Sequence, residues 1–342
     1  MAVRAKDIAE ELGVSTATIS LVLNGKPGIS EKTRKKVLQG INALGYGYLV
    51  QEQQAGSEEN KTIGFVIYKN SGDLLGMNSF FPLILDGIEF TARQYGYNLS
   101  VINIDRKEID TQIQYIKDAN CRGYVIFATE MQEEEVSFFE RLQIPFVLFD
   151  NYFIDKQINS VKANNEQGTY LAVKHLYEMG HRKIGYLGSG LDIRSFIERR
   201  KYAFSAMESF GLSGMERYSF DIGYPHERAE SGMASVLEKI PREELPTAFM
   251  SDNDLVAIGA MQAVKKHGYK IPDDISFIGY DDRPVCTLSD PKLSTICLPK
   301  ERFGAEAVEQ LIYVIQKGRE SCIKIEINGN LIERDSVRNM NK

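Results

Sequence analysis

Lys6-Asp7-Ile8-Ala9-Glu10-Glu11-Leu12-Gly13-Val14-Ser15-Thr16-Ala17-Thr18-Ile19-Ser20-Leu21-Val22-Leu23-Asn24-Gly25 decides how the rest of the chain is read. Ile8, Ala9 and Leu12 recur at the spacing of one helical face, and Gly13 stands where a left-handed cap would end that helix. Ser15 is a good N-cap for a second helix. In it Ile19, Val22 and Leu23 share one face, while Thr16, Ala17, Ser20, Leu21 and Asn24 share the other. Gly25-Lys26-Pro27-Gly28 stops this helix, and Ser30 opens a third, whose Val37, Leu38, Ile41 and Leu44 form a stripe ending at Gly45. The pattern predicts an all-α helix-turn-helix head over residues 1–48.

The outward face of the second helix carries the chemistry. Thr16, Ala17 and Ser20 are short, so the helix backbone can approach base edges in a major groove, with methyl groups available to thymine. Ser15, Thr18 and Asn24, with Lys32 and Lys35, are placed to donate to phosphates. A small bundle with no DNA role is the plain alternative, and the short outward side chains weigh against it. Charge agrees: the chain carries −6 overall, but residues 1–48 hold seven lysines and arginines against four carboxylates, a net of +3, leaving −9 on the remainder. A basic head on an acidic body is expected when only the head meets nucleic acid.

Beyond a linker over residues 49–61, polar from Gln51 onward, short apolar runs alternate with longer amphipathic stretches: Ile63 to Tyr68, Leu99 to Ile104, Tyr124 to Phe127, Phe146 to Phe149, Ile184 to Leu187, Ala248 to Met250 and Ser276 to Tyr280. Alternation of this kind predicts parallel strands with helical crossovers. Asp150-Asn151, Ser189, Asp252-Asn253-Asp254 and Asp281-Asp282 follow strands, and ligands of open α/β sheets bind outside carboxyl strand ends. Asp and Asn also cap the helices that follow. Asp254 and Asp282 are assigned structural roles; Asp150, Asn253 and Asp281 are assigned to ligand contact. Phe80 and Phe81 supply an aromatic wall, a setting that with several hydroxyl acceptors suits a sugar-like molecule. Read locally, Glu198-Arg199-Arg200-Lys201 is a solvated helix face, and Glu133-Glu134-Glu135 a solvated helix start.

Residues 6–25 together with Ile29–Tyr46 closely resemble the headpiece of the lac repressor family. Residues 78–99, 175–188, 251–282 and 293–311 look like successive landmarks of the same family's sensor, which is similar to periplasmic sugar-binding proteins. The resemblance implies a two-lobed α/β sensor over 62–336 with parallel sheets. Lobe one would take about 62–163 and 292–322, lobe two about 164–290 and 323–336, with crossings near Ala163, Ser289 and Cys322. It implies base reading by Thr16, Ala17 and Leu21. It also implies effector contacts at Phe80, Phe81, Asp150, Arg199, Asn253 and Asp281, so that Arg199 becomes a ligand clamp.

Three departures from the family are visible. Leu21 stands where many members carry arginine, and Tyr202 replaces a glycine after Arg199. Gln53 and Ala55 replace the arginine and leucine of the hinge, which predicts weak central kinking of DNA.

The resulting expectation is a sequence-specific, dimeric transcription regulator in the cytoplasm, binding a palindromic operator and controlled by a sugar-like effector between the lobes. Corepression by a purine-type ligand or a phosphoprotein is the alternative. No metal or cofactor is expected. An enzyme is disfavoured: Gly188-Ser189-Gly190 lacks the third glycine of a dinucleotide loop because Ile193 holds that place, and there is no P-loop or nucleophile-elbow pattern. The four histidines lack ligand spacing, and the scattered Cys121, Cys286, Cys297 and Cys322 form no C-x-x-C pair. The polar N-terminus gives no expectation of a signal peptide or anchor.

Overall fold

The computed structural model describes residues 5–23, 28–43, 61–70, 81–318 and 321–342, in two compact units divided after Lys61. In the first unit, helices α1 (Ala5–Leu12), α2 (Thr16–Leu23) and α3 (Glu31–Ala43) surround Ile8, Ala9, Ile19, Val22, Val37 and Ile41. Gly13 takes φ 62°, and the Val14 amide donates back to the Ala9 carbonyl at 3.1 Å, which turns the chain sharply into α2. Ser15 and Ser30 cap the next two helices, accepting from the amides of Thr18 and Thr33 at 3.0 and 3.1 Å.

The second unit contains two six-stranded sheets. The first runs β11-β5-β4-β3-β1-β2, built from β1 (Thr62–Lys69), β2 (Asn98–Asp105), β3 (Tyr124–Phe127), β4 (Phe146–Phe149), β5 (Ser160–Ala163) and β11 (Lys324–Ile327). The second runs β12-β10-β9-β8-β6-β7, built from β6 (Ile184–Gly188), β7 (Ser219–Asp221), β8 (Ala248–Ser251), β9 (Ser276–Tyr280), β10 (Ser294–Cys297) and β12 (Asn330–Ile332). The strand pairs are parallel except for β12 on β10, as expected when helices supply the crossovers. Inner strands such as β3, β4, β8 and β9 are buried along their whole length, because helices cover both faces of a parallel sheet.

Those helices are α4 (Phe81–Gln94), α5 (Ile109–Asp118), α6 (Val136–Glu140), α7 (Asn165–Glu178), α8 (Arg194–Ser209), α9 (His226–Lys239), α10 (Asp254–Lys266), α11 (Val285–Leu288) and α12 (Lys300–Lys317). Helix α12 lies against α4, and glycines let the two meet: a Cβ on Gly87 would overlap the Glu301 carbonyl, and one on Gly304 the Ile84 carbonyl.

The chain passes between sheets three times: after Ala163, between Cys297 and Lys300, and between Ile327 and Asn330. The second and third differ from the expected crossings near Ser289 and Cys322. Ser289 instead ends a short helical turn, its hydroxyl accepting from the Leu293 amide at 3.1 Å, and β10 follows it still in the second sheet. The Cys322 region leads into β11, which pairs with β5 of the first sheet. Lobe one is therefore 62–163 with the segment from α12 through β11, and lobe two is the remainder of this unit.

Candidate nucleic-acid interface and ligand cleft

In the head, burying Ile19 and Val22 leaves Ser15, Thr16, Ala17 and Ser20 exposed, with Thr18 and Leu21 half-buried. Lys35 is exposed on α3; Lys32 lies on the same helix. The Ser15 and Thr18 hydroxyls are 2.8 Å apart, so one of their two protons is used between them and the other is available outward. Leu21 is held differently from the rest: its carbonyl accepts from Arg34 Nη1 at 3.4 Å, and its side chain leans on the turn at Gly28. Asn24 and the hinge positions Gln53 and Ala55 lie outside the described residues, as does Phe80.

In the second unit, Arg199 of α8 is 4% exposed and is fixed on three sides. Its Nε donates to Asn165 Oδ1 at 3.0 Å, and its Nη1 donates to the Asp252 carbonyl at 2.7 Å and to Asp281 Oδ1 at 3.3 Å. The guanidinium lies 3.7 Å over the Tyr280 ring. Asp281 turns out of β9 at φ 105°, a left-handed conformation uncommon for a residue with a side chain, and its second oxygen receives Arg283 Nη2 at 3.3 Å. One carboxylate thus holds two buried arginines.

Asp150 turns out of β4 in the same way, at φ 63°. Thr129 Oγ1 donates to it at 2.7 Å. Loss of water pushes its carboxyl up to about 6, against the opposing pull of Thr129 and Arg199. Asp150 of the first lobe and Arg199 and Asp281 of the second are therefore electrostatic neighbours. Asn253 is fully buried; its Oδ1 caps α10 by accepting from the Val256 amide at 3.1 Å, and its Nδ2 has no partner among the described residues. It performs the capping role weighed against ligand contact, with one donor still unspent. Phe81 packs on Phe65 and Phe127 with ring centroids 5.6 and 5.7 Å away, as a half-buried margin of the first core.

Asp254 and Asp282 have protein partners. Thr295 Oγ1 and the Arg283 amide donate to Asp254 at 2.6 and 2.7 Å, and Arg334 Nη2 donates to Asp282 at 2.6 Å. Tyr224 is packed in the second core. The expected solvated start at Glu133-Glu134-Glu135 is overturned for its last member: Glu135 is buried, pairs with Arg106, and accepts from the Gln132 amide at 2.8 Å. The expected solvated face at 198–201 is likewise overturned at its first two members, since Glu198 and Arg199 are buried while Lys201 is exposed. His181 is a core residue, with Nδ1 2.9 Å from Thr247 Oγ1, and burial pushes its pKa down to about 4.

Open space lies beside these groups. A crevice of about 290 Å³ is lined by Asn70, Arg106, Glu130 and Gln132 from the first lobe and Leu191 to Ile193 from the second. A pocket of about 460 Å³ on the second lobe shares Leu191 and Asp192 with that crevice and reaches Phe196, Arg200 and Asp221. Among the described residues, neither is lined by Asp150, Arg199, Asn253 or Asp281, which sit at the closed part of the junction. Residues missed by the sequence reading include Glu198, Asn165, Tyr152 and Arg283; only their tertiary neighbours give them a role. Among the described residues no group of side chains is arranged to hold a metal, and no helix is long and apolar enough to cross a membrane.

A short-sided helix presented by a three-helix head, joined to a two-sheet unit with charged groups between the sheets, defines a DNA-binding regulator with a small-molecule effector. Residues 5–47 match the model for bacterial regulatory proteins of the lacI family, and residues 173–337 match that for periplasmic binding protein-like domains. The HTH-type transcriptional repressor PurR of Vibrio atlanticus is 30% identical over 340 residues, covering 98% of this chain and 99% of that one. The ribose operon repressor of Haemophilus influenzae is 29% identical over 336 residues, covering 97% and 98%. The lac repressor dimer bound to operator and an anti-inducer has the same fold, with TM-score 0.71 at 24% identity and coverage of 99% and 100%. The chain belongs to the lacI family of bacterial regulatory proteins, and is a transcription regulator, not an enzyme.

Proposed function

We propose that this protein is a cytoplasmic repressor of a carbohydrate-utilisation operon that binds a palindromic operator as a dimer and is released by a sugar-like ligand. Residues 1–48 read the DNA, 49–61 connect, and 62–336 bind ligand and dimerise. The observation that carries the reading is the exposure of Thr16, Ala17 and Ser20 on a helix whose opposite side chains, Ile19 and Val22, are buried. That geometry gives a major groove a slim helix bearing methyls and hydroxyls. Ser15, Thr18, Asn24, Lys32 and Lys35 hold phosphates, and Leu21 makes an apolar base contact.

The ligand reading is supported by Asp150 and Asp281, which follow strands β4 and β9, and by Arg199 of α8, which donates to Asp281; Phe80, Phe81 and Asn253 complete the proposed contact set. Relatives of the same architecture point to a sugar: one is named for a ribose operon, and solved regulators of this fold contain ribose or cellobiose.

Selection of genomic fragments with the purified chain, followed by footprinting, tests the DNA reading. A protected palindrome whose affinity falls steeply with salt is expected, and equal affinity for random competitor overturns it. A melting-temperature screen against ribose, glucose, cellobiose and purine bases tests the ligand reading. A stabilising sugar is expected, and Arg199→Ala is expected to abolish its effect while operator affinity changes less than about threefold. Stabilisation by a purine base, together with tighter operator binding, would establish corepression instead.

A further inference from the structure

Glu198 joins the two lobes beside the first chain crossing. It comes from α8 of the second lobe, yet its carboxylate is gripped by side chains of the first. Oε1 accepts from the Tyr152 hydroxyl at 2.7 Å, and Oε2 accepts from Lys162 Nζ at 3.1 Å and from Asn165 Nδ2 at 2.9 Å. Tyr152 follows β4 and Lys162 lies on β5, both of the first sheet, whereas Asn165 opens α7 just after the chain has crossed. Lys162 is also paired with Glu326 of β11 at 3.1 Å and sits 4.5 Å over the Tyr152 ring. Glu198 and Lys162 are each 7% exposed. Burial by itself would raise the Glu198 carboxyl, but donors from Asn165, Tyr152 and Lys162 outweigh it and hold the group below the usual carboxylate range.

Adjacent residues on a helix point about 100° apart, so Glu198 and Arg199 share a partner only if that partner sits between them. Asn165 does: its Nδ2 donates to Glu198 and its Oδ1 accepts from Arg199. One line of polar contacts, starting at the exposed Glu326 and buried from Lys162 onward, therefore runs through Glu198 and Asn165 to Arg199 and Asp281 of the second lobe.

We propose that Glu198 is a positioning residue, an interlobe latch that draws the second lobe onto Tyr152 and Lys162 and sets Arg199 through the shared Asn165. Opening the lobes would hydrate Glu198 and Lys162, so the latch favours closure only by the margin between its charge-assisted bonds and that hydration. A margin of this kind suits a conformational equilibrium, because a ligand with modest preference for one state can reverse it. The inference rests on the proposed function only for the role given to Arg199; lobe separation is measured with neither ligand nor operator, so the two readings fail separately.

The test is pulsed electron spin resonance on the full chain with spin labels at the exposed Gln114 and Glu208, attached through ketone side chains so that the native cysteines stay unlabelled. Labelled chain is diluted with unlabelled chain. Glu198→Gln keeps the shape and removes the charge, and should raise the population of longer separations relative to shorter ones about tenfold, the effect of losing one charge-assisted hydrogen bond. Tyr152→Phe should shift the distribution in the same direction, and the double variant should shift no further than Glu198→Gln alone. Distributions unchanged from the parent, or shifts that add in the double variant, overturn the latch even if melting temperatures fall. Should Glu198→Gln not fold, Tyr152→Phe decides alone by whether its distribution moves.

Discussion

A strand-end carboxylate's role depends on what stands around it, and Asp150, Asp254 and Asp281 show three outcomes from similar local sequence. Asp254 is fully buried, and loss of water together with the nearby Asp281 pushes its carboxyl up to about 7. Between the ordinary Asp range and about pH 7 the folded chain holds a proton here that the unfolded chain does not, so this group makes stability fall as pH rises through that window. Asp254→Asn should flatten the slope: its carbonyl can accept from the Arg283 amide and its amide can donate to Thr295. Urea midpoints at pH 5 and pH 7 measure this, and an Asn variant that retains the parent's full pH dependence would refute the assignment. The positions of Asp150 and Asp281 just after strands β4 and β9 were legible from the apolar runs that precede them. Glu198 was not, since a glutamate beside two arginines and a lysine reads as a solvated face until Tyr152, Lys162 and Asn165 are seen to enclose it.

Among the elements, α1, α2 and α3 were readable because caps and periodicity agree: Gly13, Ser15 and Ser30 mark the boundaries that the hydrophobic face requires. The late crossings, implied by the resemblance and not by periodicity, lie further along the chain than Ser289 and Cys322, because β10 stays in the second sheet and β11 pairs with β5 of the first. Helices α4 and α12 carry a further constraint invisible in sequence. In a free helix Gly→Ala is favourable by about 1 kcal/mol. At Gly304 the sign should reverse, because the added methyl would meet the Ile84 carbonyl and part the two helices. Overpacking of this kind costs roughly 1–3 kcal/mol. Gly304→Ala should therefore lower the melting temperature of the second unit by several degrees; an increase would show that the helices slide apart without cost.

For the whole molecule, the uneven charge and the hinge sequence bear on how DNA is held. With net −9 outside residues 1–48, the body opposes approach to phosphate, so contact should be confined to the basic head. Ala55 and Gln53 offer no apolar wedge and no minor-groove guanidinium, so the operator centre should bend little; a circular-permutation gel with a sharp central bend would contradict this. The stronger constraint is thermodynamic. If a ligand between the lobes changes operator affinity, the operator must change ligand affinity by the same factor, because both are legs of one cycle. A ligand that weakens operator binding a hundredfold carries a coupling of about 2.7 kcal/mol. Ligand titrations on the free chain and on chain saturated with operator duplex should then differ a hundredfold in dissociation constant. Glu198→Gln should shrink both factors together if the latch lies on the route between the sites. Because the two factors must be equal at equilibrium wherever the ligand binds, the informative outcome is their common size: a Glu198→Gln chain that keeps both at a hundredfold would show that the latch does not lie on the route between the sites.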